Sequence, residues 1–211
     1  MSFVTNVAHL AILGTCCTLA FFVFDGSLFS YHPVFMSLAY IVFMSEAVIF
    51  ATAFRKLDGE DRVHAIRNHM KLQIGAISCA VVGFGAIFYN KILHGKAHFQ
   101  SYHGKLGLFT VVMSSVAPLA GLFSFKSLGM FDKLPPFLQP RIKWWHRTIG
   151  GLTLAASILT VELGLIHPSV DKGVVTMGWR IAVAVIGVCI ASMISKKHPK
   201  MKGGDETCLP T

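Results

Sequence analysis

Charged residues are scarce in this sequence of 211 amino acids. Its 10 acidic and 19 basic residues make up 14% of the chain, whereas hydrophobic residues make up 54% and the mean hydropathy is +0.61. A soluble globular domain needs more charge on its surface, so the composition excludes that class. Long polar connections are also missing, which leaves no room for an extramembrane domain. The sequence therefore predicts a protein of the lipid bilayer.

Cysteine is rare too, and no targeting segment is evident. Four of the five cysteines lie in apolar stretches, where a thiol is usually a small hydrophobe: Cys16, Cys17, Cys79 and Cys189. The last four residues, from Cys208, have the outline of a prenylation signal, but Pro210 argues against one. No basic side chain precedes the first apolar stretch and no small-residue cleavage site follows Phe24, so we expect a retained helix rather than a secretory signal.

Six apolar stretches are long enough to cross a membrane, which takes roughly 17 to 25 helical residues for a hydrocarbon core of about 30 Å. They lie near residues 7–24, 33–54, 70–90, 104–125, 147–167 and 174–194. The sequence therefore predicts an all-α fold in which residues 1–211 form a single transmembrane domain of six helices.

Basic residues indicate how these helices are oriented, because lysine and arginine near short loops stay on the cytoplasmic side. One face of the membrane receives 14 of them: Arg55, Lys56, Arg62, Arg67, Lys71, Lys126, Lys133, Arg141, Lys143, Arg147, Lys196, Lys197, Lys200 and Lys202. The other receives five: Lys91, Lys96, Lys105, Lys172 and Arg180. We expect both termini in the cytoplasm. Because the charges are scattered over loops without a recognition module, we expect no nucleic-acid partner.

Histidine is unusually frequent for a membrane protein, with ten residues, and imidazole is costly in hydrocarbon unless it binds something. Four histidines open successive predicted spans: His32, His69, His103 and His146. Consecutive spans run in opposite directions, so His32 and His103 should lie at one depth on the non-cytoplasmic side. His69 and His146 should lie together on the cytoplasmic side. Each pair joins two parallel helices of a four-helix core formed by spans two to five, where bundles place cofactor ligands.

Two facing imidazoles suit haem iron, which needs two axial ligands, better than zinc, which needs four ligands or three and water. An iron with both axial positions filled is left with outer-sphere electron transfer. Gly107 and Gly150 each follow a ligand by four residues, and so lie one turn deeper on its face. They would leave room for a porphyrin, although ordinary helix packing is the explanation we favour for them.

Two segments resemble the cytochrome b561 family, most closely its short subgroup of cytochrome b561 domain-containing proteins of type 2. The first is Ser27-Leu28-Phe29-Ser30-Tyr31-His32-Pro33-Val34, continuing through Met36-Ser37-Leu38-Ala39 to Glu46; the second runs from Gly95-Lys96-Ala97-His98 to His103-Gly104. The resemblance covers about residues 10 to 195 and implies two b haems on these four histidines, with two peripheral outer helices. It also implies that cytoplasmic ascorbate donates electrons that reduce monodehydroascorbate or ferric iron on the other side.

Substrate residues follow from charge near the ligands. Arg67 and Lys71 flank His69 and are the predicted donor residues, while Lys96 and His98 near His103 are the predicted acceptor residues; His94 and His98 could bind iron directly if their segment is helical. The alternative for each is a topology determinant or a solvated loop residue. Family members linked to ascorbate carry Tyr-Arg at the cytoplasmic end of span two, where this chain reads Phe54-Arg55-Lys56.

Glu46 is the carboxylate deepest in a span. It follows His32 by fourteen residues, about 1400° of rotation in a regular helix, which places it within about 40° of the ligand's face. We therefore expect Glu46 to point inward near the cytoplasmic haem, where it could take up a proton during reduction or hydrogen-bond a neighbouring helix.

Proteins with two other functions would have the same six apolar spans. A six-span transporter or channel could use intramembrane histidines for protons or metal ions, although it would not need them in two level pairs, and a scaffold would bind no ligand. By resemblance to the short subgroup, we expect the membrane of the endoplasmic reticulum or a vesicle. A homodimer is a possible assembly.

Overall fold

A computed structural model describes residues 3–124 and 132–195 of the chain. Those residues form six long helices, which we number α1 (Phe3–Val23), α2 (Leu28–Lys56), α3 (Gly59–Leu93), α4 (Tyr102–Ser124), α5 (Gln139–Leu165) and α6 (Val174–Ser195). The described ranges contain no β-strand. Six helices are long and apolar enough to cross a membrane, which confirms the predicted all-α fold with six spans. The C-terminal tetrapeptide that begins at Cys208 lies outside the described residues.

Several helices continue beyond the predicted apolar spans. α3 begins at Gly59 rather than near residue 70, with Glu60 and Asp61 in its first turn, where carboxylates favour the helix dipole. α5 begins at Gln139 rather than near residue 147. The helices extend beyond the apolar spans because hydropathy falls where polar residues begin, whereas hydrogen bonding along the helix does not. His69 and His146 consequently lie well inside their helices instead of opening them.

α2 changes its helical type three times. A regular α-helical part, Leu28–Ser37, is followed by the π-helical segment Leu38–Met44, by a second α-helical part, Ser45–Ala53, and by the 3₁₀ turn Phe54–Lys56. Since π-helical hydrogen bonds join residues five apart, the turn is wider and the residues after it are rotated relative to a regular helix. The side chains of the second α-helical part therefore point in directions that a count of 100° per residue does not predict.

The helices pack as three antiparallel pairs, α2 with α3, α4 with α5, and α1 with α6. The largest cluster of buried apolar side chains lies between α1, α2, α5 and α6, and includes Ile12, Tyr40, Leu154 and Ile186. The Trp179 indole N–H of α6 also donates to the Thr18 hydroxyl of α1 at 2.9 Å. The outer helices α1 and α6 thus supply much of the apolar packing against α2 and α5.

Candidate functional site

The structure brings the four predicted histidines together in the two predicted pairs. The ring centres of His32 on α2 and His103 on α4 are 6.0 Å apart. Those of His69 on α3 and His146 on α5 are 6.2 Å apart. The ring planes within each pair are nearly perpendicular, at 81° and 89°. Each pair therefore joins one helix of the α2–α3 pair to one helix of the α4–α5 pair.

Every one of the four rings is held by its Nδ1 atom against a backbone carbonyl of the neighbouring helix. The four distances are 3.0 Å from His32 to Gly83, 2.8 Å from His69 to Ala47, 2.9 Å from His103 to Thr160 and 3.0 Å from His146 to Ala117. A carbonyl oxygen only accepts hydrogen bonds, so Nδ1 carries the hydrogen. The lone pair is then on Nε2, which is the arrangement of a histidine that binds a metal through Nε2.

These hydrogen bonds are reciprocal within each helix pair. His32 on α2 donates to α3, and His69 on α3 donates back to α2. His103 on α4 donates to α5, and His146 on α5 donates back to α4. The two helix pairs are thus built in the same way, and each orients one histidine for each end of the bundle.

Two glycines leave the space that two of these rings occupy. A Cβ atom at Gly164 would lie 2.9 Å from Cε1 of His103, and one at Gly121 would lie 3.0 Å from Cε1 of His146. Both glycines follow, by four residues, the residue whose carbonyl accepts from that ring, Thr160 or Ala117. Any side chain at either position would push the imidazole away from its acceptor. Sequence reasoning missed both glycines because they lie on the partner helix, far from their histidine in sequence.

The two predicted glycines differ from each other. A Cβ atom at Gly107 would make ordinary contact with the Thr160 methyl group at 3.5 Å, so close helix packing applies there. At Gly150, an added Cβ would meet no atom of the chain within 4 Å. Helix packing, the explanation that we favoured for both glycines, therefore does not account for Gly150, and space for a porphyrin is the explanation that remains for it.

The paired histidines fit a haem better than a zinc ion. A metal–imidazole bond is about 2 Å long and the ring centre lies roughly 1 Å behind the nitrogen, so two rings on opposite sides of one metal have centres roughly 6 Å apart. The two pairs match this separation. Within residues 3–124 and 132–195, no group of three or more His, Cys, Asp or Glu side chains is placed to hold a metal ion. A donor set of two nitrogens suits an iron whose other ligands come from a porphyrin.

A cavity of about 730 Å³ opens beside His32 and His103. It is lined by basic side chains that include both predicted acceptor residues: Lys91, His94, Lys96, His98, His167 and Lys172. Asp25 also lines it, and hydrogen bonding from Ser27 holds the pKa of that carboxyl below its usual range. The cavity's size is that of a pocket for a small molecule or cofactor, and its rim is mainly cationic.

The predicted iron ligands His94 and His98 do not share a helical face. α3 ends at Leu93, and Gly95 has a positive φ of 59° that turns the chain. Nδ1 of His94 lies 2.7 Å from the carbonyl of Asn90, while the ring of His98 stacks on Phe88 with centres 4.3 Å apart. The helical spacing that a direct iron site required is therefore absent, and the prediction of such a site loses its basis. His98 still lines the cavity beside His32 and His103.

At the other end of the bundle, the ring of Phe54 packs edge-on against His69, with centres 6.1 Å apart. The next residue, Arg55, lies close enough to Arg147 for the two guanidinium charges to repel each other. The predicted donor residues Arg67 and Lys71 are both exposed on α3. Arg55 follows Phe54 and Arg147 follows His146 in sequence, and the positive charges of these two arginines interact near this end of the bundle.

Glu46 does not point into the four-helix interior as predicted. Its Oε1 atom lies 2.6 Å from Nδ1 of His9 on α1. The rotation count failed because the π-helical segment Leu38–Met44 lies between His32 and Glu46. The prediction left open whether Glu46 bonds a neighbouring helix, and it does. His9 was missed as its partner because it lies in another span, 37 residues earlier in the sequence.

Comparison with known proteins assigns the chain to one family. The family described as eukaryotic cytochrome b561 matches residues 31–170. Transmembrane reductase CYB561D2 of Homo sapiens is 34% identical over 180 residues, which cover 83% of this chain and 78% of that protein. Probable transmembrane reductase CYB561D1 of Mus musculus is 34% identical over 161 residues, 75% of this chain and 69% of that protein.

A plant relative carries the name of an electron transporter. Probable ascorbate-specific transmembrane electron transporter 2 of Oryza sativa subsp. japonica is 28% identical over 144 residues, which cover 66% of this chain and 56% of that protein. The matched family segment, residues 31–170, contains all four paired histidines.

Proposed function

The chain belongs to the eukaryotic cytochrome b561 family, and from this premise we propose that it is an ascorbate-dependent transmembrane reductase with two haem b groups. The proposed acceptor on the non-cytoplasmic side is monodehydroascorbate or ferric iron. Membership of this family already makes the protein a haem-binding membrane oxidoreductase. The number of haems, the acceptor and the direction of electron flow are the parts that we propose.

One observation carries the proposal: two histidine pairs at opposite ends of the bundle, with all four Nδ1 atoms held by backbone carbonyls. His32 and His103 would hold one haem b, and His69 and His146 the other. Bound haem b would supply a one-electron carrier at each pair. Because the carbonyls fix both the tautomer and the orientation of the rings, these histidines present Nε2 without further rearrangement.

Arg55 and Arg147 form the proposed donor site. Two neighbouring guanidinium groups repel each other until an anion lies between them, so they favour ascorbate, which is an anion at neutral pH. Arg55 follows Phe54, whose ring packs against His69, and Arg147 follows His146, so an anion held by the two arginines would lie near the cytoplasmic pair. Arg67 and Lys71, which we predicted from the sequence, would add to the positive field from the exposed face of α3.

The cavity at the His32–His103 pair is the proposed acceptor site. Its basic rim, with Lys96 and His98, would draw the ascorbyl radical anion or an anionic ferric chelate toward this pair. The Lys91 ammonium group donates to the carbonyl of Ala97 at 3.0 Å, which ties the loop that carries both residues to the end of α3.

The direction follows from the 14 basic residues against five, which assign the His69–His146 pair to the cytoplasmic side. Electrons would therefore leave cytoplasmic ascorbate and emerge at the His32–His103 end. By resemblance to the short members of the family, we place the protein in the membrane of the endoplasmic reticulum or a vesicle.

The test is electron transfer across a sealed membrane. Purified protein is reconstituted into vesicles with ferric citrate and a ferrous indicator inside, and ascorbate is added outside. We expect ferrous iron to form inside at a rate that His103→Ala abolishes, because that variant loses a ligand at the acceptor end. Equal rates for wild type, variant and protein-free vesicles would contradict the proposed function.

A further inference from the structure

A histidine and a carboxylate share a hydrogen bond inside the membrane, away from the four paired histidines. Nδ1 of His9 on α1 and Oε1 of Glu46 on α2 are 2.6 Å apart, and the two side chains are 26% and 17% exposed. In the part of the chain that the structure describes, this is the one side-chain contact within 4 Å between a histidine and a carboxylate. Two titratable groups at one site in a bilayer are costly, and such groups usually have a function.

The pair lies at the depth of the cytoplasmic histidine site. Ala47, the residue after Glu46, accepts the hydrogen bond from Nδ1 of His69. Because consecutive helical residues point about 100° apart, Ala47 can face His69 of α3 while the side chain of Glu46 reaches His9 of α1. α2 thus holds the His9–Glu46 pair on one side and the ring of His69 on another side of the same helical turn.

The π-helical segment is what gives Glu46 this direction. Leu38–Met44 ends two residues before Glu46 and rotates it away from the interior and toward His9. Short π-helical segments are frequent at functional sites. A purely structural tie between α1 and α2 would not need two groups that can exchange a proton, since a serine or an amide could form the same hydrogen bond.

Few other titratable groups surround the pair. α3 and α6 pack against this part of α2, and α6 also packs along α1. Within the membrane, these four helices carry the following further titratable or charged side chains: Cys16, Cys17, His32, Tyr40, Arg55, His69, Lys71, Cys79, Tyr89, Arg180 and Cys189. His69 is held by the Ala47 carbonyl, Lys71 is exposed on α3, and Arg180 is held by Glu162 at 3.0 Å. No second carboxylate within these described helices shares the site with Glu46.

We propose that the His9–Glu46 pair is a redox-linked proton site. When one electron from ascorbate reduces the cytoplasmic site from ferric to ferrous, that site loses one positive charge. The pair then takes up one proton from the cytoplasmic aqueous phase, which changes its net charge from −1 to zero and restores the local balance. When the electron moves on, the proton is released. This inference rests on the proposed function, because it needs a haem at His69 and His146.

The test compares two intramembrane carboxylates. Glu46→Gln keeps an oxygen that can accept from His9 but removes the proton-binding carboxylate; Glu162→Gln is the matched control, since Glu162 lies toward the other end of the membrane. The midpoint potential of each haem is measured against pH by spectroelectrochemistry. Infrared difference spectra of the reduced and oxidised protein then show whether a carboxyl group changes its protonation.

In the wild type and in Glu162→Gln, we expect the equilibrium constant for reducing the cytoplasmic haem to fall with rising pH by up to tenfold per unit, which is about 59 mV for one electron. Glu46→Gln should lose this dependence and the infrared carboxyl band. If Glu46→Gln does not retain haem, His9→Asn serves for the same comparison. The Glu46 carboxylate then lacks its imidazole partner, so the pH range over which the potential changes should shift.

Two results would overturn the inference. One is a wild-type protein with two haems, reduced by ascorbate, whose potentials do not change with pH; the proposed function would survive that result. The other is a pH dependence that persists unchanged in Glu46→Gln or His9→Asn. A purified protein without haem would instead contradict the proposed function itself, so the two failures are distinguishable.

Discussion

Gly164→Ala should weaken haem binding at the His32–His103 pair, and the cause should be a steric contact with His103 rather than a change in the flexibility of the helix. The new Cβ would lie 2.9 Å from Cε1 of His103, whereas carbon atoms in contact prefer about 3.5 to 4.0 Å, so the ring must move by about 0.6 Å or more. Such a shift along the bond would stretch the 2.9 Å hydrogen bond to Thr160 to about 3.5 Å, beyond the usual limit of about 3.2 Å.

The cost can be worked from these distances. Overpacking costs about 1 to 3 kcal/mol and the lost hydrogen bond about 1 kcal/mol, so the site should be weakened by about 2 to 4 kcal/mol. At about 1.4 kcal/mol per tenfold change, haem affinity there should fall roughly 30- to 700-fold. Gly121→Ala places its Cβ 3.0 Å from His146 and should do the same at the other pair.

The assay is haem content per chain, with the two low-spin haems resolved by electron paramagnetic resonance and redox titration. Gly178→Ala is the matched control, because this exposed helical glycine lies at the same end of the membrane as Gly164 and its added Cβ would meet nothing within 4 Å. Gly164→Ala should perturb only the haem at His32 and His103, and Gly121→Ala only the haem at His69 and His146. Two unperturbed haems in both Gly164→Ala and Gly121→Ala would refute the reasoning.

Two further predictions concern the donor site and the middle of the bundle. Arg55→Gln and Arg147→Gln should each raise the KM for ascorbate about tenfold or more, since one cation of a pair is worth about 1.5 kcal/mol or more to a bound anion. Arg141→Gln, in which the lost guanidinium stacks on Phe137 at 5.7 Å, should leave the KM unchanged. If steady-state kinetics gave the same KM change in all three variants, the proposed site would be contradicted. Tyr40→Phe should lower the stability of the protein by about 1 kcal/mol through its lost 3.1 Å hydrogen bond to Ser114, and a thermal-unfolding double-mutant cycle with Ser114→Ala that shows no coupling would contradict that bond.

The six helices and the meeting of the four histidines could be predicted from the sequence. Hydropathy finds apolar spans, and antiparallel order then places His32 level with His103 and His69 level with His146. Both steps depend only on length and direction. The helix ends could not be found in this way, because Gly59 and Gln139 begin their helices in polar sequence that carries no hydropathic signal.

Contacts between helices could not be predicted from the sequence either, for a different reason. The position of Glu46 depends on a π-helical segment, and nothing in the composition of Leu38–Met44 marks it as π-helical. Gly121 and Gly164 matter because of a ring on another helix, and that contact exists only after the bundle is packed.

The most direct test of the two histidine pairs is the haem-to-chain ratio of double variants. The pairing predicts two haems in the wild type and one in His32→Ala/His103→Ala, because both substitutions fall on one site. It predicts none in His32→Ala/His69→Ala, because these substitutions fall on different sites. If the two double variants retained the same amount of haem, or if His32→Ala/His103→Ala retained none while still folding, the paired arrangement would be wrong.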